Sequence, residues 1–354
     1  MTLFSTFDHA MMRRALALAE KGLYTTTPNP RVGCVVTRGD TVVGEGWHEQ
    51  AGGPHAEVIA LGQAGERSAG ATAYVTLEPC NHQGRTAPCV DLIQEKKIKR
   101  VVAAMLDPNP RAAHGGVKLA AAGIDFQHGL MEDEARELNI GFVSRMTRGR
   151  PWVRMKIAAT LDGRTALADG RSQWITGPEA RKDGHRWRAR ACAILTGIGT
   201  VKADDPRLTV RDVETTRQPL RVVVDSRLEI SEKAKVLSDG ALIFCAVEPR
   251  KYPNAEIHKI ANPHGKVDLP AMLEELVRRG VNELHVEAGF RLNGSLVREG
   301  CVDEFLIYLN PSLLGDAAQG MVDLPGFSSL DERVKMKIAS VERIGDDIRI
   351  LARP

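Results

Sequence analysis

Aromatic side chains are scarce in this sequence, 5% of 354 residues, and neither sign of charge predominates: Lys and Arg number 48 against 45 Asp and Glu. A nucleic-acid binder needs a basic stripe, with stacking rings where the strand is single, so both scarcities argue against that class. No stretch approaches the roughly 20 apolar residues of a membrane span. Residues 1–9 lack a basic segment running into an apolar one, so no secretory leader is expected and a cytoplasmic location is. Repeats and low-complexity segments are missing, as is a G-x-S-x-G serine elbow. The six cysteines are then expected as reduced thiols unless some hold a metal.

What is present alternates. A helix is predicted over 9–21 with Asp8 as its N-cap and Gly22 as its stop, then a hairpin of strands 31–37 and 41–47. Helices near 55–63, 90–97 and 117–122 interleave with strands 73–77, 101–105 and 124–127. The charged segment 145–150, followed by Pro151, reads as a boundary between domains 1–147 and 148–354. Beyond it strands are expected at 153–159, 193–196, 221–224, 242–246, 283–287 and 304–309, with helices at 178–191, 270–279 and 292–299. Strand–helix alternation in both halves argues an α/β layered architecture.

The chemistry is concentrated at His55-Ala56-Glu57, opening a helix, and at Pro79-Cys80 with Cys89 nine residues on. One imidazole and two thiolates suit tetrahedral Zn²⁺ and leave a fourth position for water, as a catalytic rather than a structural site does. His-x-Glu and C-x₈-C each arise by chance. Their order, helix start then strand then Pro-Cys and a second Cys, is the zinc deaminase arrangement with a lengthened Cys–Cys loop. Glu57 is then the proton carrier between water and the leaving amine. Two alternatives stand beside it. One is an editing deaminase with an RNA-binding second half; the other is a structural zinc with His82 as fourth ligand. Cys34, Cys192, Cys245 and Cys301 are assigned no chemistry.

These residues also carry a family resemblance. Thr27-Pro28-Asn29-Pro30-Arg31-Val32-Gly33, His55-Ala56-Glu57, the run from Glu78-Pro79-Cys80 to Pro88-Cys89, Asp107-Pro108-Asn109-Pro110 and Leu161-Asp162-Gly163-Arg164 resemble the bifunctional riboflavin-biosynthesis deaminase–reductases over nearly the whole chain. The resemblance implies a cytidine-deaminase-like three-layer α/β/α domain with one Zn²⁺ per chain, then a dihydrofolate-reductase-like α/β domain using NADPH. It implies a pyrimidine ribosyl phosphate as substrate, deaminated first, its ribosyl arm then reduced to ribityl, and a homo-oligomeric enzyme with neither nucleic acid nor membrane as partner.

For the deaminase the resemblance implies Asn29 at the pyrimidine edge and His82 or Arg85 at the phosphate. Asn29 also reads as a turn residue, and Arg85 as a solvated charge. In the second half no complete G-x-G-x-x-G exists, but strand-ending turns at Gly197-Ile198-Gly199 and Glu287-Ala288-Gly289 offer backbone N–H groups to phosphate. The family has paired glycines at the second turn, where this chain has Ala288. Carried over by position, the NADPH site comprises Ala158, Trp174, Thr200, Asp204, Ser226 and the loop Gly289, Phe290, Arg291, Leu292, Asn293, Gly294 and Ser295. Trp174 reads equally as core, and Ser226 or Arg227 is the expected reader of the 2′-phosphate. The sugar phosphate is expected to meet Ser172, Arg188, Leu208, Arg211 and Glu287, the arginines because a guanidinium fork binds phosphate bidentately. Lys156 and Asp162 are expected to flank the reaction centre.

Overall fold

The computed structural model describes residues 4–83 and 87–354, so the expectation for Arg85 lies outside the described residues. The chain divides into two compact units, Met1–Gly149 and Arg150–Pro354.

In the first unit the elements run α1 (Thr6–Glu20), β1 (Gly33–Arg38), β2 (Thr41–Trp47), α2 (Ala56–Ala64), β3 (Thr72–Val75), α3 (Cys89–Glu95), β4 (Arg100–Ala103), α4 (Gly115–Ala121), β5 (Asp125–His128), α5 (Glu132–Leu138) and α6 (Ile140–Arg148). The sheet order is β2-β1-β3-β4-β5, with β1 antiparallel to both neighbours and β3, β4 and β5 parallel. Side chains alternate across it. Cys34 and Val36 enter one core with Ala60, Ile93 and Leu119 of α2, α3 and α4, whereas Val35 enters the other with Met12, Ala135 and Phe142 of α1, α5 and α6. That is the expected three-layer arrangement. The segment 145–150, read from sequence as the boundary, holds the last turn of α6, and the two units divide within it, after Gly149.

Ser5, not Asp8, caps α1. The serine hydroxyl accepts the Asp8 N–H at 3.1 Å while Asp8 accepts the Ser5 N–H at 2.8 Å, a reciprocal capping box. Asp8 is nonetheless buried, and Oδ1 also accepts from Tyr74 and Arg100, each at 2.7 Å. Burial alone would raise this carboxyl. The bonds from Arg100, the Ser5 N–H and Tyr74 overcome it and hold the pKa far below the usual range. Asp8→Asn is expected to cost about 2–3 kcal/mol in urea unfolding. Because the folded pKa is depressed, that contribution is present above about pH 4 and is lost as pH falls, so wild type and variant converge in acid.

The second unit contains β6 (Trp152–Thr160), β7 (Arg164–Ala166), α7 (Pro178–Arg190), β8 (Ala193–Gly197), α8 (Ile198–Asp204), β9 (Leu220–Val224), β10 (Ala241–Cys245), β11 (Ala255–Lys259), α9 (Leu269–Arg278), β12 (Glu283–Val286), α10 (Phe290–Arg298), β13 (Glu304–Asn310), β14 (Gln319–Gly320), β15 (Lys337–Ile344) and β16 (Asp347–Arg353). Its large sheet has the order β11-β10-β9-β8-β12-β6-β13-β16-β15. It is parallel from β11 to β13; β16 then runs antiparallel to both neighbours. β15 and β16 were not anticipated. β15 is largely exposed, with Ile338 66% and Val341 56% exposed, and lacks the alternation that marks a half-buried strand.

Beneath α7 the sheet carries charge beside a small apolar cluster of Ala180, Leu306 and Tyr308. Arg154 on β6 is wholly buried, with Nη1 3.0 Å from Glu283 and Nε 2.5 Å from Glu304. The Trp187 ring covers its guanidinium at 4.4 Å. Further along β12 His285 Nε2 stands 3.3 Å from Glu287, where the second site begins.

Candidate active sites

Three elements bring the first site together. His55 is the residue before α2, Cys89 opens α3, and Cys80 follows β3 on the loop Glu78-Pro79-Cys80. His55 Nδ1 lies 3.2 Å from Cys89 Sγ and 3.5 Å from Cys80 Sγ, and the three donor atoms all fall within 4.8 Å of one another. The Cys89 N–H donates to Cys80 Sγ at 3.4 Å. Donation from the Cys89 side chain and N–H, and from His55, holds the Cys80 thiol down into thiolate range, while Cys89 is driven up in response.

The loop bearing Cys80 is held from behind. Glu78 accepts the N–H groups of Asp107 at 3.1 Å and Gly116 at 2.8 Å. At Gly115 a Cβ would stand 1.9 Å from the Pro79 carbonyl oxygen, so only glycine lets α4 approach this closely. Among the described residues no other His, Cys, Asp or Glu joins the donor cluster. His82, the proposed fourth ligand of a structural zinc, lines the adjacent pocket with a buried, unpartnered Nδ1.

That pocket, of about 180 Å³, has Glu57 on its wall. Glu57 is 4% exposed, and burial raises its carboxyl pKa. Asn29 is also there; its amide lies 3.0 Å from His48 Nε2, whose Nδ1 faces the Pro54 carbonyl at 2.9 Å. Sequence reasoning missed His48 and the roles of Asp107 and Asn109 as lining groups. The signal for the last two was the Asp-Pro-Asn-Pro turn just beyond β4, noted only as a motif. Burial pushes the Asp107 carboxyl up to about 7.

The second site is a cleft of about 1100 Å³ across the carboxyl ends of the parallel strands. Lys156 and Ala158 from β6, Ser172, Thr200, Asp204, Leu208, Arg211, Ser226, Glu287 and residues 289–293 line it. Trp174 lines it too and is not core: 71% exposed, its ring meets the Arg181 guanidinium at 4.7 Å. The two glycine turns face each other, since a Cβ on Gly289 would lie 3.6 Å from Thr200 Oγ1.

Two expectations need correction. Asp162 is not on the cleft; its carboxylate accepts the Leu314 and Gly315 N–H groups, at 2.7 Å for the latter, and so fixes a turn. Gly294 faces away, where a Cβ would meet the Asp323 carbonyl oxygen at 2.1 Å, and the Ser295 hydroxyl bonds back to Arg291 O within α10. Arg188 lines the cleft, where its fork holds Glu287 at 2.5 and 2.8 Å and Thr209 O at 3.0 Å. Burial opposes ionisation of Glu287, yet Arg188 overcomes it and keeps that carboxylate charged. Beside it Lys156 is half-buried, and its loss of hydration lowers its pKa.

Comparison with known proteins decides the assignment. The sequence model for the RibD C-terminal domain matches residues 151–350, and that for the cytidine and deoxycytidylate deaminase zinc-binding region matches residues 5–105. Riboflavin biosynthesis protein RibD of Escherichia coli is 45% identical, over 96% of this chain and 98% of its own. The chain belongs to the RibD family. RibD of Haemophilus influenzae is 46% identical over 99% and 98% of the two chains. The solved Acinetobacter baumannii RibD superposes with a TM-score of 0.92 at 42% identity, covering 98% of this chain and 99% of that one. A Thermotoga maritima structure, described as a diaminohydroxyphosphoribosylaminopyrimidine deaminase/5-amino-6-(5-phosphoribosylamino)uracil reductase, matches at 34% identity with a TM-score of 0.90 over 98% and 99% of the chains. As a RibD-family protein, this chain is a deaminase and reductase of riboflavin biosynthesis, with a zinc-binding first domain and an NADPH-dependent second. No helix among the described residues is long and apolar enough to cross a membrane.

Proposed function

We propose that the first site hydrolyses the 2-amino group of a diamino-hydroxypyrimidine bearing a phosphoribosylamino arm, and that the second reduces the arm of the product. The observation that carries this is the convergence of His55, Cys80 and Cys89 beside buried Glu57 in a pocket of pyrimidine scale. The donor set fits zinc: one imidazole nitrogen and two sulfurs, with no fourth protein donor in the cluster among the described residues. Bound there, Zn²⁺ would supply the Lewis acidity that brings the pKa of a water towards neutrality.

Glu57 takes one proton from the attacking water and delivers it to the ring nitrogen, then carries the second, from the newly formed hydroxyl, to the departing amine, so that water and a C–NH₂ bond become a carbonyl and ammonia. A raised pKa suits a carboxyl that must hold this proton between steps. Asn29 and Asp107 read the polar ring edge, and His82 meets the phosphate-bearing arm.

In the second site NADPH would supply the hydride. The cleft fits it through two facing glycine turns that leave backbone room for a pyrophosphate. Opening the ribosyl ring leaves an imine at C1′. Hydride addition at that carbon calls for a proton on the nitrogen, and Lys156, made more acidic by burial, donates it. Glu287 holds Lys156 in place electrostatically and is itself fixed by Arg188. Arg211, exposed on the cleft with its guanidinium bonded to Thr209 Oγ1 and its backbone N–H to His185, is a cation positioned to meet the sugar phosphate.

Supplying the diaminopyrimidine phosphate with and without NADPH tests the scheme. Ammonia is expected in both cases, and NADPH oxidation only after deamination. Ammonia release that depends on NADPH would overturn the order.

A further inference from the structure

The cleft crosses the carboxyl ends of β9, β8, β12 and β6 in that spatial order. Glycine turns follow β8 and β12, so a dinucleotide's pyrophosphate belongs there, and Lys156 on β6 marks the reducing end. The adenosine then falls over the end of β9, where Ser226, Arg227, Glu229 and Lys266 line the cleft.

Three cations gather there around one carboxylate. Lys202 Nζ bonds Glu229, Arg227 Nη1 stands 3.8 Å from it, and Lys266 also acts on its charge. Positive charge is in excess at this rim, and Arg227 keeps 73% of its side chain in solvent. The backbone beneath is fixed. Asp225 Oδ2 accepts the Ile230 N–H at 2.8 Å, closing the turn that carries Arg227 and Glu229. Ser226 Oγ accepts the Val267 N–H at 3.1 Å, tying the Lys266 loop to that turn. Arg211 lies elsewhere, bonded through its N–H to His185 on α7.

We propose that Lys266, together with Arg227, binds the phosphate on the 2′-oxygen of the cofactor's adenosine ribose and so selects NADPH over NADH. Glu229 is the positioning residue that holds Arg227 at the rim. The inference rests on the NADPH reading of the cleft. A 2′-phosphate is a dianion with three acceptor oxygens and answers two cations; the 2′-hydroxyl of NADH gains almost nothing from them.

Equilibrium titration of the full chain with NADPH and with NADH, for wild type, Lys266→Ala, Arg227→Ala and Arg211→Ala, tests this. Lys266→Ala and Arg227→Ala are each expected to weaken NADPH about tenfold, roughly one charge-assisted hydrogen bond. NADH affinity should stay within about twofold, which also shows that the variants fold, and Arg211→Ala should leave the NADPH-to-NADH ratio unchanged. Equal loss of both cofactors, no loss for Lys266→Ala, or a selective loss in Arg211→Ala overturns the assignment. A wild-type chain that binds neither nucleotide overturns the cofactor reading itself, and this inference with it.

Discussion

Glu57→Gln is expected to cut ammonia release by roughly 10²–10⁴-fold, the range for removing a positioned general acid–base. The amide keeps the volume of the buried side chain but can neither accept the water proton nor carry it to the amine. Glu57 is not among the three donor atoms, so zinc content should remain about one per chain. Reduction of separately supplied deaminated substrate should also persist, because those residues belong to the second unit. The measurement is ammonia release beside zinc content and NADPH oxidation. Near-wild-type ammonia release by a zinc-loaded variant would remove Glu57 from the mechanism.

The second large effect falls on reduction. Lys156→Met keeps the buried aliphatic stem and deletes the ammonium, and the reductase kcat should drop on the order of 10²-fold or more. Glu287 retains its bidentate bond to Arg188, so the cleft does not inherit an unpaired charge. NADPH affinity is therefore expected to hold while kcat falls, which separates proton donation from cofactor binding. The pH profile supplies an independent sign. An acid must be protonated to donate, so wild-type turnover declines as pH rises through a lysine pKa that burial has lowered, and this limb should vanish in the variant. If it survives in Lys156→Met, the donor is another group.

Both assignments draw on features that differ in how they are written in the chain. His55, Glu57, Cys80 and Cys89 were legible because each stands at an element boundary, and boundaries carry local signals: a helix start, a strand end, a proline. The α/β layering of the first unit was legible from its strand–helix alternation, whereas Cys34, Val35 and Val36 form an unbroken apolar run whose assignment to opposite faces only the structure shows. Arg154 defeated the same rule. A polar residue between Val153 and Met155 reads as solvent-facing, yet it lies buried between Glu283 and Glu304, about 130 and 150 residues away in sequence. Asp162 failed for a related reason. Its motif marked a conspicuous turn, but the N–H groups that use its carboxylate come from Leu314 and Gly315.

The amino-acid sequence by itself determined the class of chemistry, since ligand type and order select zinc and a deaminase, and it determined the alternation that builds two α/β layers. Only the tertiary structure decided which charges are spent on one another and which remain for a ligand. Arg188 is bonded through both arms of its fork to Glu287, whereas the Arg211 guanidinium bonds only a neighbouring threonine hydroxyl. Pairing between distant charges depends on where strands lie in a sheet, and strand order is set by packing across the whole domain, which no local pattern encodes.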